Sequence, residues 1–153
     1  MSRLKRLNPI MDLAEKRENE AVQALGRSQQ KLDEARKGLS SLRSFRENYA
    51  ARFHQSGTKG LGVRQLNEYR AFLNKINAAI AEQERVVQSS ETELQARKAA
   101  WEEAHRHTLG MQKIIDKLRA EESRQAQKKE QVELDERASR RGKSTKTLLA
   151  VFW

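Results

Sequence analysis

An apolar residue returns every three, then every four, positions along most of this chain, and few folds sustain such a beat for so long. Met11, Ala14, Ala21, Leu25, Leu32, Ala35, Leu39, Leu42, Tyr49 and Phe53 share one line of that spacing. A second line runs through Leu66, Tyr69, Leu73, Ile76, Ile80, Val87, Leu94, Trp101, Ala104, Met111, Ile115 and Leu118. Ten of the thirteen positions in the first line are apolar, where the overall apolar content of 37% would place about five. Twelve of the sixteen in the second line are apolar. Glu18, Ser28 and Arg46 interrupt the first line, and Gln83, Ser90, Arg97 and Thr108 the second. A 3.5-residue period belongs to helices that wind about a partner helix. Between the lines lies Gly57-Thr58-Lys59-Gly60-Leu61-Gly62, where glycines lower the cost of reversing direction. The expected fold is all-α: a two-helix antiparallel coiled-coil hairpin with the second helix longer than the first.

Local signals divide the chain further. Asn8-Pro9 reads as a helix start, because Asn can cap free amides and Pro suits the first helical position. The organisation expected is an N-terminal arm over 1–8 and a hairpin over 9–139, followed by a flexible tail over 140–153. Within the hairpin the first helix spans 9–54, the turn 55–63 and the second helix 64–139. If the chain folds back near residue 59, facing residue numbers sum to about 118. Tyr49 then faces Tyr69, Leu42 faces Ile76 and Ser28 faces Ser90. Position 9 faces about 109, close to where the second stripe dies. Beyond Leu118 the next five seam positions are Glu122, Gln125, Lys129, Val132 and Glu136, with one apolar residue among them. That stretch reads as a lone charged helix, rich in helix formers but without packing. The last six residues, Leu148 to Trp153, form an apolar end that suits either a docking peptide or a loose tail.

Composition narrows the function classes. Charged residues make up 34% of the 153-residue chain and aromatics 5%, the balance of a long helix and not of a globule. There is no cysteine, hence no disulfide framework or thiolate metal site, which fits a reducing cytosol. The first residues lack an apolar run that could serve as a secretory signal. No stretch approaches the roughly 20 apolar residues of a membrane span. A soluble, intracellular protein is expected. The net charge of +10 suits acidic partners, yet Lys, Arg and Glu are interspersed as on any solvated coiled-coil surface.

Catalytic and cofactor chemistry find no foothold. Gly142-Lys143-Ser144-Thr145 ends like a phosphate-binding loop, but Arg137 stands where the motif needs its first glycine. His105 and His107 point about 200° apart on a helix and cannot share a metal. His54 stands alone near the turn. No nucleophile–base pair is visible, so no enzyme activity, no cofactor and no metal are expected.

Partner surfaces are the remaining place to look. A two-helix hairpin needs one apolar stripe per helix, and near the turn there is more. Tyr69, Phe72, Ile76, Ala79 and Gln83 form a second 3-4-3-4 line on the second helix, and Leu42, Phe45 and Tyr49 do the same on the first. Ile76 and Tyr49 also sit in the seam and serve a core or a partner equally well. Phe45 and Phe72 fall outside it. They either broaden the core at the closed end or bind a partner, and for Phe72 the binding role is favoured.

Asp12-Leu13-Ala14-Glu15-Lys16, Ala21, Leu25-Gly26, Leu42-x-x-Phe45-x-x-x-Tyr49, Tyr69-x-x-Phe72, Ala79-Ile80 and Trp101, in this order and spacing, resemble the FliJ family of flagellar type III export proteins over roughly residues 10–140. The resemblance implies a cytoplasmic, non-enzymatic coiled coil like the central stalk of a rotary ATPase. Such a protein inserts its open end into the export ATPase hexamer, engages the export-gate membrane protein and recycles export chaperones. It is peripheral at the inner face of the cell membrane through those partners. By the resemblance, the gate-facing stripe maps onto Phe72, Ile76, Ala79 and Gln83, with Leu42, Phe45 and Tyr49 as neighbours; Gln83 stands where the family has histidine. The ATPase-facing part maps onto Leu13, Ala21 and Leu25 and onto the charged extension. There Arg119, Arg124, Lys128 and Lys129 offer a positive face to an acidic bore.

Three alternatives make different demands. A stalk of a virulence secretion system would share the hairpin and differ in its partners. A basic coiled coil that binds nucleic acid would carry a dense basic block, whereas residues 119–146 hold nine Lys or Arg against six Asp or Glu. A plain structural spacer would have no aromatics off the seam.

Overall fold

The computed structural model describes residues 2–57, 60 and 62–152, with side chains described as far as residue 143. Two helices make up the chain: α1, Arg3–Gly57, and α2, Val63–Phe152. They pack antiparallel as the coiled-coil hairpin that the heptads predict, and α2 is the longer. The packing forms two units, one of Lys16–His105 and one of Met1–Glu15 with Arg106–Trp153.

In the Lys16–His105 unit the buried residues are the seam residues. Leu32 is 1% exposed, and Ala35, Leu39, Ile76 and Ile80 are buried with it. Leu39, Ile76 and Ile80 form one cluster, with Leu42, Phe72, Leu73 and Val87 packed against it. Leu42 thus packs against the cluster that holds Ile76, the residue the heptads set opposite it. At the Ser28–Ser90 level both residues are buried, 4% and 2% exposed. Towards the turn the core becomes aromatic. Phe53 stacks on Tyr69 with ring centroids 3.8 Å apart, Tyr69 on Tyr49 at 5.8 Å, Tyr49 on Phe72 at 3.8 Å, and Phe72 meets Phe45 edge-on at 5.6 Å. Each such pair adds about 0.5–1.5 kcal/mol beyond its burial.

Cross-helix ion pairs flank this seam. Arg36–Glu91 and Arg43–Glu84, each 3.2 Å, line one side, and Lys31–Glu93 at 3.0 Å lies on the other. All are half exposed, so each contributes at most about 1 kcal/mol. In each the cation is on α1 and the anion on α2, so the pairs draw the two helices together.

The unit of Met1–Glu15 and Arg106–Trp153 starts earlier than the Asn8-Pro9 signal suggests. Residues 3–8, expected as an arm, are helical, and Ser2 is the cap: its Oγ accepts the Lys5 N–H at 3.4 Å. Pro9 lies inside α1. Its missing N–H leaves the Lys5 carbonyl to water, which an exposed backbone there allows. Leu4 and Leu7 continue the 3-4 spacing into Met11 and Ala14 and are half buried, so packing overrides the local start signal. Thr108 Oγ1 donates to the Ala14 carbonyl at 3.4 Å. That register sets Leu7 against Ile115, which is 2% exposed, and Leu4 against Leu118. The apolar stripe of α2 thus ends where α1 begins, six residues further along than a start at position 9 requires.

At the turn, Gly60 takes φ +85°, a backbone conformation that favours glycine, and its N–H donates to the Gly57 carbonyl. Gln65 Oε1 accepts the Gly62 N–H at 3.3 Å, the reaching-back half of a capping box. Thr58, Lys59 and Leu61, within the expected turn at 55–63, lie outside the described residues. Past Leu118 every described residue is exposed. The backbone of α2 stays helical through Phe152, where a flexible segment from 140 is the sequence expectation. The side chains of 144–153, including the apolar end, lie outside the described residues.

Leu32 is the most completely enclosed apolar side chain described. Leu32→Ala is expected to lower unfolding free energy by about 2–3 kcal/mol, the low end for buried leucine in so thin a core. Arg36→Ala is expected to lower it by less than about 1 kcal/mol. Urea unfolding followed by circular dichroism measures both, and equal losses would contradict the assignment.

Candidate functional site

The heptad positions beside the seam create two unlike flanks in the Lys16–His105 unit. One carries Arg36, Arg43, Asn77, Glu84 and Glu91, joined by the two ion pairs and by Arg46 Nη1 donating to Asn77 Oδ1 at 3.0 Å. The other carries Phe45, Phe72, Ala79 and Val86, with Lys31–Glu93 further along. Phe45 is 55% exposed and Val86 is also exposed. The second flank is the apolar surface of this unit. Val86 belongs to it and extends the line of Phe72 and Ala79 by one more heptad; that seven-residue step is the signal by which the sequence reveals it.

The residues that the family resemblance assigns to a gate occupy three different environments. Phe45, Phe72 and Ala79 lie on the apolar flank. Phe72 is half buried because Tyr49 stacks on it, so it both closes the core and borders the surface. Tyr49 and Leu42 are half-buried seam residues. Ile76 is 7% exposed and belongs to the core. Gln83 turns inward: its Nε2 donates to the Ala35 carbonyl at 2.9 Å across the seam. Gly38 makes room for this, since a Cβ there would lie 3.0 Å from Gln83 Nε2.

The residues mapped to an ATPase are also spread. Leu13 is exposed, in the unit of Met1–Glu15 and Arg106–Trp153. Ala21 and Leu25 are half-buried seam residues of the other unit. Arg119, Arg124, Lys128 and Lys129 are exposed on the part of α2 without a packing partner. Glu18, a charge in the seam, is met by His105 Nδ1 at 2.6 Å, and Trp101 stacks on that imidazole at 5.2 Å. Among the described residues no cluster of three His, Asp or Glu is arranged to hold a metal. No helix among them is long and apolar enough to cross a membrane.

A family model described as Flagellar FliJ protein matches residues 3–146. The chain belongs to the FliJ family. It is thereby a protein associated with flagellar type III export, and the family is a non-enzymatic part of that apparatus. No curated protein and no solved structure matched the chain. Within this FliJ-family chain, the apolar flank and the unpacked charged stretch of α2 are two surfaces that packing among the described residues leaves exposed.

The Gly38–Gln83 contact has a measurable signature. In a helix interior Gly→Ala gains about 0.5–1 kcal/mol. Here the new methyl displaces the Gln83 amide, whose bond to Ala35 contributes about 1 kcal/mol. Gly38→Ala is expected to change stability by about zero in the native chain and to stabilise by up to about 1 kcal/mol when Gln83→Ala is already present. Denaturant unfolding of the four members of the cycle tests this; equal effects in both backgrounds would show the pair to be uncoupled.

Proposed function

We propose that this chain is the central-stalk-like coiled coil of the flagellar export apparatus. It binds the export ATPase hexamer with its open end, contacts the export-gate membrane protein near its turn and hands export chaperones back for reuse. In this reading the protein works in the cytoplasm, peripheral to the membrane through its partners, and needs no cofactor. The observation that carries it is the family match across residues 3–146 on a hairpin whose α2 continues exposed beyond Leu118.

Physical arguments support each contact. The stretch of α2 after Leu118 has no apolar beat to bury, so its binding to a ring rests on charge. Arg119, Arg124, Lys128 and Lys129 favour an acidic bore and speed encounter with it. The apolar flank of Phe45, Phe72, Ala79 and Val86 suits a hydrophobic partner such as the gate. Ile76 and Gln83 act from behind that surface by holding the two helices in register.

Reversing Arg119, Arg124, Lys128 and Lys129 to Glu is expected to abolish stimulation of the export ATPase and to remove its salt sensitivity. Unchanged stimulation overturns the stalk reading. For the gate, Ala79→Glu is the informative variant, since Ala79 is exposed and Phe72 also serves the core. Pull-down with the purified variant is expected to lose the gate protein and retain the ATPase. Retention of both would remove the gate from this surface.

A further inference from the structure

The polar residues of the seam are almost all accounted for. Glu18 is met by His105, Arg46 by Asn77, Gln83 by the Ala35 carbonyl and Thr108 by the Ala14 carbonyl, each across the helix pair. Ser90 is small and buried. Three seam positions remain: Arg97 and Ser28, which are neighbours, and Trp101, whose indole Nε1 is buried without a partner while its ring stacks on His105. Arg97 has no ion pair or hydrogen bond among the described residues. Ser28 is 4% exposed, and its Oγ has no hydrogen-bond partner. A helical serine in that position ordinarily bonds the carbonyl four residues back; here Ala24 does not receive it.

Arg97 and Ser28 line one groove in the Lys16–His105 unit, with Ala24, Arg27, Lys31 and Glu93. Ala24 and Ser28 are short, which opens the space between the helices at this level. Lys31 and Glu93 bind each other at 3.0 Å and form one rim. Arg27, like Arg97, is without a partner among the described residues. The lining residues thus carry two unpaired guanidinium groups and one enclosed hydroxyl without a partner. Three cations face one carboxylate, a balance that repels metal ions and attracts anions.

We propose that this groove binds a single oxyanion. The two guanidinium forks match the geometry of a phosphate or a carboxylate, and the Ser28 hydroxyl, enclosed and without a partner in the free protein, rotates about its Cα–Cβ bond to donate to the anion. The volume, about 170 Å³, is below the roughly 300–1,000 Å³ of sites for drug-sized ligands. It suits one charged head group. The ligand is therefore either free phosphate or the carboxylate of an acidic side chain presented by a partner.

Titration of the full chain with inorganic phosphate, and separately with glutarate, at constant ionic strength distinguishes these sources. Amide proton–nitrogen spectra provide the readout. Saturable shifts confined to residues near 24–31 and 90–97 are expected. Phosphate alone giving them assigns the site to phosphate, and both giving them assigns it to any oxyanion, including a partner's carboxylate. Arg27→Gln and Arg97→Gln, both at exposed positions, are each expected to weaken binding about fivefold. Ser28→Ala is expected to weaken it without lowering thermal stability. Shifts that never saturate, that spread over all the basic residues, or that persist unchanged in the two arginine variants overturn the proposal. No export protein enters the titration, so its failure leaves the stalk reading untouched and the reverse also holds.

Discussion

A two-helix seam is one layer thick, and this constraint governs the rest of the molecule. A residue in the middle of a globular core has neighbours on all sides, whereas a seam residue here meets only the opposite helix and then water. Apolar side chains bury themselves incompletely: Leu32, Ile80 and Ile115 are well enclosed, while Leu42, Leu73, Val87 and Leu94 are only partly so. A polar side chain in the seam has few possible partners, all of them across the gap. Glu18 with His105, Arg46 with Asn77, Gln83 with Ala35 and Thr108 with Ala14 are therefore also register pins. Slipping one helix by a heptad would keep apolar residues facing apolar ones but would break these bonds together. Buried polar groups without partners are costly, so the interruptions specify the alignment that the apolar beat alone leaves open.

Much of this is legible in the sequence. The spacing identifies the seam on both helices, and nearly every buried residue lies on it. The aromatic end was legible as well, since Tyr49 facing Tyr69 follows from the position of the glycines. What escaped the pattern did so for identifiable reasons. Asn8-Pro9 is a strong local start signal, but Ser2 supplies an equally good cap and Leu4 and Leu7 add two further seam contacts; burial outweighed the signal. Gln83 stands where the seam and the surface line cross, so its spacing alone does not say which way it turns. Its inward turn depends on Gly38, 45 positions earlier in the chain, and no periodicity connects a glycine to the side chain that fills its space. Ile76 was ambiguous because a seam position and a surface line cross there, and packing against Leu39 and Ile80 decides for the core.

The two flanks show how one narrow fold separates stability from recognition. Ion pairs that each add little are gathered mainly on one side, where they align the helices and keep the surface wet. The other side is left with Phe45, Phe72, Ala79 and Val86. Phe45 pays a hydration penalty while exposed, and its edge-on contact with Phe72 recovers only part of it. An aromatic pair held in a fixed orientation on a stiff backbone has little conformational entropy left to lose on binding. This makes the closed end a better recognition surface than its modest area suggests.

The stretch of α2 beyond Leu118 follows the opposite logic. It has helix formers in abundance and every described residue in water, so only backbone bonds and weak charge pairs along the helix hold it. A partner that contacts it would contribute order as well as affinity. Because it has no apolar beat, the free energy of that contact must be largely electrostatic and hence weakened by salt. Contacts on the apolar flank draw on burial, which salt affects little. A single chain built from one repeating pattern thus presents two surfaces that answer to different solution variables. The sequence marks the division at Leu118, where the apolar beat of α2 stops.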